Sequence, residues 1–218
     1  MLDWLIPRSP WAKPREEAQV CSNLITGQDG LTSGTHVISN LGWRPVDGLA
    51  VGDKVLTFDR GMQQVIDIHR EVHFASEHPP HIEQWPLRVP ADALCNRREL
   101  FLMPGQGVLI ECDIVEDAQG DPYAVVPAYV MEGYRGIRPI KPTTGVETTT
   151  LIFENDEVIY AEGGMMIHCP RALDLLSRPS DGVDVAYLAL HGDNARSLID
   201  HMIAIEHSQA VAGLGRAG

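Results

Sequence analysis

The chain has 218 residues, 44 % of them hydrophobic and 22 % charged, which is an ordinary composition for a globular protein that buries a substantial core. Thirty acidic and 17 basic residues give a net charge of −13, and the basic residues are scattered, which argues against nucleic-acid binding. The 20 glycines and 15 prolines indicate many turns and favour an all-β fold.

Residues 1–29 are predicted to form an N-terminal extension. The apolar stretch that follows Asp3 ends at Pro7, so the segment lacks the basic start and the apolar core of a secretory signal. No apolar run approaches the roughly 20 residues that cross a bilayer. We therefore expect a soluble protein that makes no membrane contact and is cytoplasmic by default.

From Thr35 onward the sequence consists of short apolar runs bounded by Gly, Pro, Asp or Asn, a pattern typical of an all-β domain. Glycines in residues 59–61 and 118–122 stand where a positive φ is needed, and they predict two chain reversals. The longest run, QQVIDIHREVHF, predicts one strand that bends across the domain with one face exposed to water.

After Cys169 the pattern becomes helical, and residues 171–218 are predicted to form a C-terminal helical extension. PRALDLLSRP predicts a short helix that ends at its second proline. A clearer helix follows, with apolar residues near a 3.6-residue period, a start capped by Asp193 or Asn194 and an end at Gly213. We favour packing of this helix on the parent domain over a partner or membrane role.

Residues 33–65, SGTHVISNLGWRPVDGLAVGDKVLTFDRGMQQV, carry a family resemblance. The Gly-Thr before the first strand, the GWRPV turn and the pattern L-x-V-G-D-x-V-L-T-x-D resemble the first block of the Hint superfamily, and most closely its bacterial Hint-type domains. This fold is shared by inteins and the autoprocessing domain of hedgehog proteins. RRELFLMPGQGVLIE, DPYAVVPAYVMEGYRGIRPI and TLIFENDEVIYAEGG are similar to later segments. The resemblance implies that residues 30–170 form a horseshoe-like all-β domain with approximate two-fold symmetry.

The resemblance also implies a chemistry. In the family, a thiol or hydroxyl on the first residue attacks the preceding carbonyl, and a His in the second block, assisted by Thr or Ser, serves the departing amide. The nucleophile position falls on Gly30, the hydroxyl position on Met103 and the His position on Gln106. Glycine has no side chain, and a neutral amide cannot shuttle a proton. The resemblance thus implies a Hint-type domain without autoprocessing activity.

An active self-cleaving domain with a non-standard nucleophile stays open as an alternative. Cys169 beside His168 is one candidate, because inteins end in a similar His, although the terminal Asn needed for cyclisation is absent. Cys21 would require a long insertion before the first strand. Three hydroxyls lie beyond the first-residue position and are weaker substitutes: Thr32, Ser33 and Thr35.

No cofactor is predicted, and metal binding is not favoured. The four cysteines are widely spaced without a CxxC pair, and their redox state is undecided. The one His-rich stretch, HREVHFASEHPPH, is interpreted as a solvated strand edge and loop rather than a zinc site; it contains His69, His73, His78 and His81. A second alternative is an interaction module whose acidic surface or C-terminal helix binds a protein partner.

Overall fold

The computed structural model describes residues 29–74, 81–117, 120–171 and 187–214. These residues form two antiparallel sheets and one long α-helix, which confirms the predicted all-β class with a C-terminal helix. Residues 1–28 and the helix predicted in PRALDLLSRP lie outside the described residues. No helix in the described ranges is long and apolar enough to span a membrane.

The strands of the described residues are, in chain order, β1 (Leu31–Thr32), β2 (His36–Ser39), β3 (Gly42–Pro45), β4 (Lys54–Thr57), β5 (Gly61–Gln64), β6 (Asp67–His73), β7 (Leu87–Val89), β8 (Leu100–Leu102), β9 (Gly107–Glu111), β10 (Tyr123–Pro127), β11 (Arg138–Pro139), β12 (Val146–Ile152), β13 (Glu157–Ala161) and β14 (Met165–Cys169). The smaller sheet has the order β11-β7-β8-β1-β12-β6. The larger sheet has the order β10-β9-β14-β13-β2-β4-β5, with β3 paired to β2. The short strand β1 therefore lies between β8 and β12, and this position brings three distant parts of the sequence together.

The run QQVIDIHREVHF forms two strands in different sheets, so the prediction of one bent strand is wrong. β5 pairs with β4 in the larger sheet, whereas β6 pairs with β12 in the smaller sheet. At the break, the N–H of Val65 donates to Asp53 while the N–H of Ile66 donates to Ile152. Val65 is fully buried and Ile66 is 48 % exposed. The alternation of the side chains is interrupted here because the backbone changes hydrogen-bonding partners between the two residues.

The two predicted chain reversals are confirmed. Gly61 has φ +66° and closes the hairpin of β4 and β5, where it pairs with Thr57. Gly120 has φ +90° and lies between β9 and β10, which are neighbours in the larger sheet. In both loops glycine occupies a backbone conformation that other residues adopt only with strain.

The C-terminal helix α1 (Gly192–Leu214) packs on the β domain, as predicted. Its residues Ala195, Leu198 and Ile199 are fully buried in the main hydrophobic core. Burial of this apolar face holds the helix against the sheets.

The predicted ends of α1 are wrong by one or two residues. The N–H of Ala195 donates to the carbonyl of His191, so helical bonding starts before Asp193 or Asn194 could cap it. At the other end, α1 continues through Gly213 to Leu214. A glycine inside a last turn lowers helix propensity without ending the helix.

Candidate functional site

The positions that the resemblance assigns to the nucleophile, Gly30, and to the His, Gln106, lie in direct contact. The backbone N–H of Gly30 donates to Oε1 of Gln106 at 3.0 Å, and both residues are buried. Nε2 of Gln106 donates to the carbonyl oxygens of Gly107 (3.0 Å) and His168 (2.9 Å). The neutral side chain of Gln106 thus joins the start of β1 to β9 and β14 through three hydrogen bonds to backbone groups.

A tight turn between β8 and β9 positions Gln106. The N–H of Gln106 donates to the carbonyl of Met103, and the carbonyl of Gln106 accepts from the N–H of Ala128. Tyr129 donates in the same way to the carbonyl of Pro104. Met103 itself is only 1 % exposed and belongs to the core, so the position at which the resemblance implies a hydroxyl presents an apolar side chain.

The surroundings of Gly30 leave no room for a side chain. Gly30 has φ +104°, a conformation that favours glycine. A Cβ built on Gly30 would lie 3.0 Å from Oγ1 of Thr150 and 3.1 Å from Cβ of Thr148. Strand β12 therefore closes the space that a nucleophilic side chain would need.

Sequence analysis did not identify Thr148 and Thr150 as part of this site. The two threonines are two residues apart on β12 and so share one face of the sheet. The TTT run was a visible signal for a strand, but the sequence does not show that β1 lies beside it.

Ionisable side chains from β6 and from Asp29 lie near the same position. Nε2 of His73 lies 2.8 Å from Oγ1 of Thr148 and 3.7 Å from a carboxylate oxygen of Glu71. Asp29 precedes Gly30, and its partial burial raises the pKa of its carboxyl, with a further increase from the negative charge of Glu71. Asp29 is thus easier to protonate than an exposed aspartate.

His168 and Cys169 end the last strand of the larger sheet but do not form a base and nucleophile pair. They are consecutive residues of β14, so their side chains point to opposite faces. Burial raises the pKa of the Cys169 thiol, and the negative charges of Glu157 and Asp29 raise it further. Burial lowers the pKa of His168, whose ring lies 5.9 Å from the ring of Tyr187. At neutral pH the thiol is therefore protonated, which is the unreactive form.

Thr32, Ser33 and Thr35, the three hydroxyl residues near β1, make hydrogen bonds within the protein. Oγ1 of Thr32 donates to the carbonyl of Phe101 at 2.9 Å and lies 3.3 Å from Oγ1 of Thr35. Ser33 is exposed in the turn that follows β1, and its N–H donates to the carbonyl of Glu147. The hydroxyl of Ser33 also hydrogen-bonds the carboxylate of Asp47, which accepts in addition from the N–H of Gly34.

The His-rich stretch is divided between a strand and a later loop. His69 lies beside Asp67 on β6 with an N–O distance of 3.2 Å, His73 contacts Thr148, and His81 is exposed. His78 and Cys21 lie outside the described residues. In the part of the chain that the structure describes, no group of three His, Cys, Asp or Glu side chains is arranged to hold a metal. The cysteines of that part, Cys95, Cys112 and Cys169, are free thiols.

Comparison with known proteins finds a family for most of the β domain. The model of the family described as "Hint domain" matches residues 30–166. Among solved structures, a bacterial intein-like domain from Clostridium thermocellum is similar, with 9 % identity, 64 % of this chain and 98 % of that chain covered, and a TM-score of 0.43. The gp41-1 intein has 14 % identity, 64 % and 97 % coverage and a TM-score of 0.42. The MchDnaB-1 intein has 13 % identity, 63 % and 98 % coverage and a TM-score of 0.41. No curated protein matches the chain.

Proposed function

Because the chain belongs to the Hint domain family, we propose that it is a Hint domain that keeps the fold and does not carry out autoprocessing. The observation that supports the proposal best is the contact between Gly30 and Gln106. An acyl shift needs a nucleophilic side chain at the first residue and a group that delivers a proton to the departing nitrogen. The chain has glycine at the first position and a neutral amide at the second.

The way in which Gln106 is bonded supports the same conclusion. Its Oε1 faces the nitrogen of Gly30 as an acceptor, and its Nε2 donates to two backbone carbonyls. A carboxamide does not titrate near neutral pH, so Gln106 has no proton to give to the nitrogen. We interpret Gln106 as a structural tie between β1 and the larger sheet.

The substitutes for the missing nucleophile are poorly placed. The thiol of Cys169 is buried and protonated, and its neighbour His168 faces away from it. The hydroxyl of Thr32 donates to a carbonyl. The hydroxyl of Ser33 bonds the Asp47 carboxylate, but Ser33 lies three residues beyond the first position. These contacts favour the inactive domain over the self-cleaving alternative.

Intact-mass spectrometry of the purified chain tests the proposal. The chain is incubated with and without dithiothreitol, which releases a thioester or ester as fragments of defined mass. We expect one unbroken mass under both conditions. A fragment that ends at Asp29 would contradict the proposal.

A Cys169→Ala variant treated in the same way identifies the source of any cleavage. If fragments form in the original chain and disappear in the variant, Cys169 is the nucleophile and the domain is active. Fragments in both chains would point to Cys21 or to a hydroxyl near β1 and would equally contradict the proposal.

A further inference from the structure

A second site lies on the larger sheet and shares no residue with the contact between Gly30 and Gln106. It is a pocket of about 210 Å³ between β2, β3, the loop before β8 and the turn between β13 and β14. Its lining residues are His36, Trp43, Arg97, Arg98, Glu162 and Gly163. We call it the Arg97 pocket.

The Arg97 pocket has an excess of positive charge in a chain of net charge −13. Its one carboxylate, Glu162, is only 6 % exposed and is already bonded. The N–H of His36 donates to its Oε1 at 2.7 Å, and Nε of Arg98 lies 3.3 Å from its Oε2. The exposed guanidinium of Arg97 makes no ion pair with any described residue. One arginine charge is therefore available to an anion.

The second arginine, Arg98, competes with Glu162 for the same ring nitrogen of His36. Nδ1 of His36 lies 3.1 Å from Oε1 of Glu162 and 3.2 Å from Nη2 of Arg98. Nδ1 donates to the carboxylate when it carries a proton and accepts from the guanidinium when it does not, so it can serve only one of them at a time. An anion that engages Nη2 of Arg98 would let Nδ1 donate to Glu162 and would satisfy all three groups.

The backbone around the pocket is arranged to hold Arg97 in place. Glu162 has φ +45°, which is strained for a residue with a side chain, and such strain is concentrated at ligand sites. Its carbonyl accepts from the N–H of Arg97 at 2.6 Å. Gly163 has φ +118°, and a Cβ there would lie 2.7 Å from Cγ of Arg97. The glycine therefore leaves the space through which the arginine stem passes.

Trp43 supplies an aromatic surface at the same pocket. It is 39 % exposed, and it lines the cavity together with Arg97 and Arg98. A guanidinium binds a carboxylate through paired hydrogen bonds, and an indole ring favours contact with a flat apolar group. We propose that the Arg97 pocket binds an aromatic carboxylate, with its ring against Trp43 and its carboxylate on the two arginines. The ligand is either a free small acid or the last residue of a peptide with an aromatic side chain.

Calorimetric titration of the full chain with phenylacetate tests the proposal, and phenylacetamide is the uncharged probe of the same shape. We expect saturable binding of phenylacetate and binding of phenylacetamide that is weaker by about tenfold or more, since hydrogen bonds between charged groups are lost. Arg97→Gln should weaken phenylacetate binding to a similar extent. Arg138→Gln, which removes an exposed arginine that does not line the pocket, should leave it unchanged.

One further variant separates loss of binding from loss of folding, and a second tests the position of the Arg97 side chain. Trp43→Leu should weaken phenylacetate binding while the melting temperature stays close to that of the original chain. Gly163→Ala keeps every charge but displaces the stem of Arg97, and it should weaken binding as well; because Gly163 has φ +118°, this variant should also melt at a lower temperature, and its binding is measured well below that temperature. The proposal is overturned if phenylacetate shows no saturable binding at millimolar concentration, or if Arg97→Gln and Arg138→Gln behave alike.

A short peptide ending in phenylalanine distinguishes the two sources of the ligand. Competition with phenylacetate by the peptide with a free C-terminus, and not by its amidated form, would support a peptide end as the ligand. Binding of phenylacetate without competition by either peptide would support a free small acid. Equal competition by both peptides would overturn the role of the carboxylate.

Discussion

The backbone N–H of Gly30 donates a hydrogen bond to Oε1 of Gln106, although 76 positions separate the two residues in the sequence. Under the proposed assignment of Gly30 to the first position, the nitrogen in this bond belongs to the peptide that an acyl shift would break. In a Hint domain that cleaves itself, this nitrogen must be released. Here the nitrogen is held by the side-chain amide of Gln106, whose Nε2 in turn donates to the carbonyl of His168.

Removal of the Gln106 amide should destabilise the protein. Gln106→Leu leaves the buried N–H of Gly30 without its acceptor and the carbonyls of Gly107 and His168 without their donor. We expect the free energy of unfolding to fall by about 2 kcal/mol or more, since an unsatisfied buried polar group costs about 1–3 kcal/mol. Urea denaturation measures the loss. The matched control is Gln64→Leu on β5, where the side chain is exposed; an equal loss in both variants would contradict the structural role of Gln106.

Crowding at Gly30 should make any side chain there costly. Gly30→Ala and Gly34→Ala both place an alanine at positive φ, +104° and +83°, but nothing lies within 4 Å of the added Cβ at Gly34. We expect Gly34→Ala to cost about 1 kcal/mol of conformational strain. Gly30→Ala should cost about 1–3 kcal/mol more, because Thr148 and Thr150 must move. Denaturant titration of both variants gives the difference, and equal losses would show that β12 does not close the space.

Cysteine labelling reports whether Cys169 is available as a nucleophile. Its thiol is buried with a raised pKa, whereas Cys95 is exposed. We expect iodoacetamide to modify Cys95 in the native protein and to modify Cys169 only after unfolding. Peptide mapping by mass spectrometry locates the label, and the buried Cys112 is the matched control for access alone. Rapid native labelling of Cys169 but not of Cys112 would reopen the self-cleaving alternative.

Much of the site could be predicted from the sequence because its two decisive positions lie in ordered motifs. The spacing to Gly34 and the proline of MPGQG predict Gly30 and Gln106 as the two positions, and the structure brings these two residues into contact. The contacts that surround them could not be predicted in the same way. The packing of Thr148 and Thr150 on Gly30 depends on which strands become neighbours, and the break at Val65 and Ile66 depends on a change of sheet. Such long-range pairings leave no periodic trace in one sequence.

Burial of His168 should make the stability of the protein depend on pH. Burial lowers the pKa of His168 below its usual value in the folded state, and the nearby charge of Asp156 opposes this effect only in part. The unfolded chain therefore binds the extra proton first as the pH falls. By linkage, the contribution of His168 to stability is complete above the unfolded pKa of about 6.5 and is lost progressively below it.

A His168→Phe variant isolates this contribution, because a phenyl ring keeps an edge contact with Tyr187 and does not titrate. The pKa values of Asp29 and Glu157 are raised, so these two carboxyls favour the folded state as the pH falls and oppose the effect of His168. The original chain and His168→Phe both contain these carboxyls, so the difference between the two proteins reports His168. Between pH 7 and pH 5.5 the original chain should lose more stability than the variant in denaturant titrations. Parallel curves for the original chain and His168→Phe would show that His168 is protonated equally easily in the folded and unfolded states.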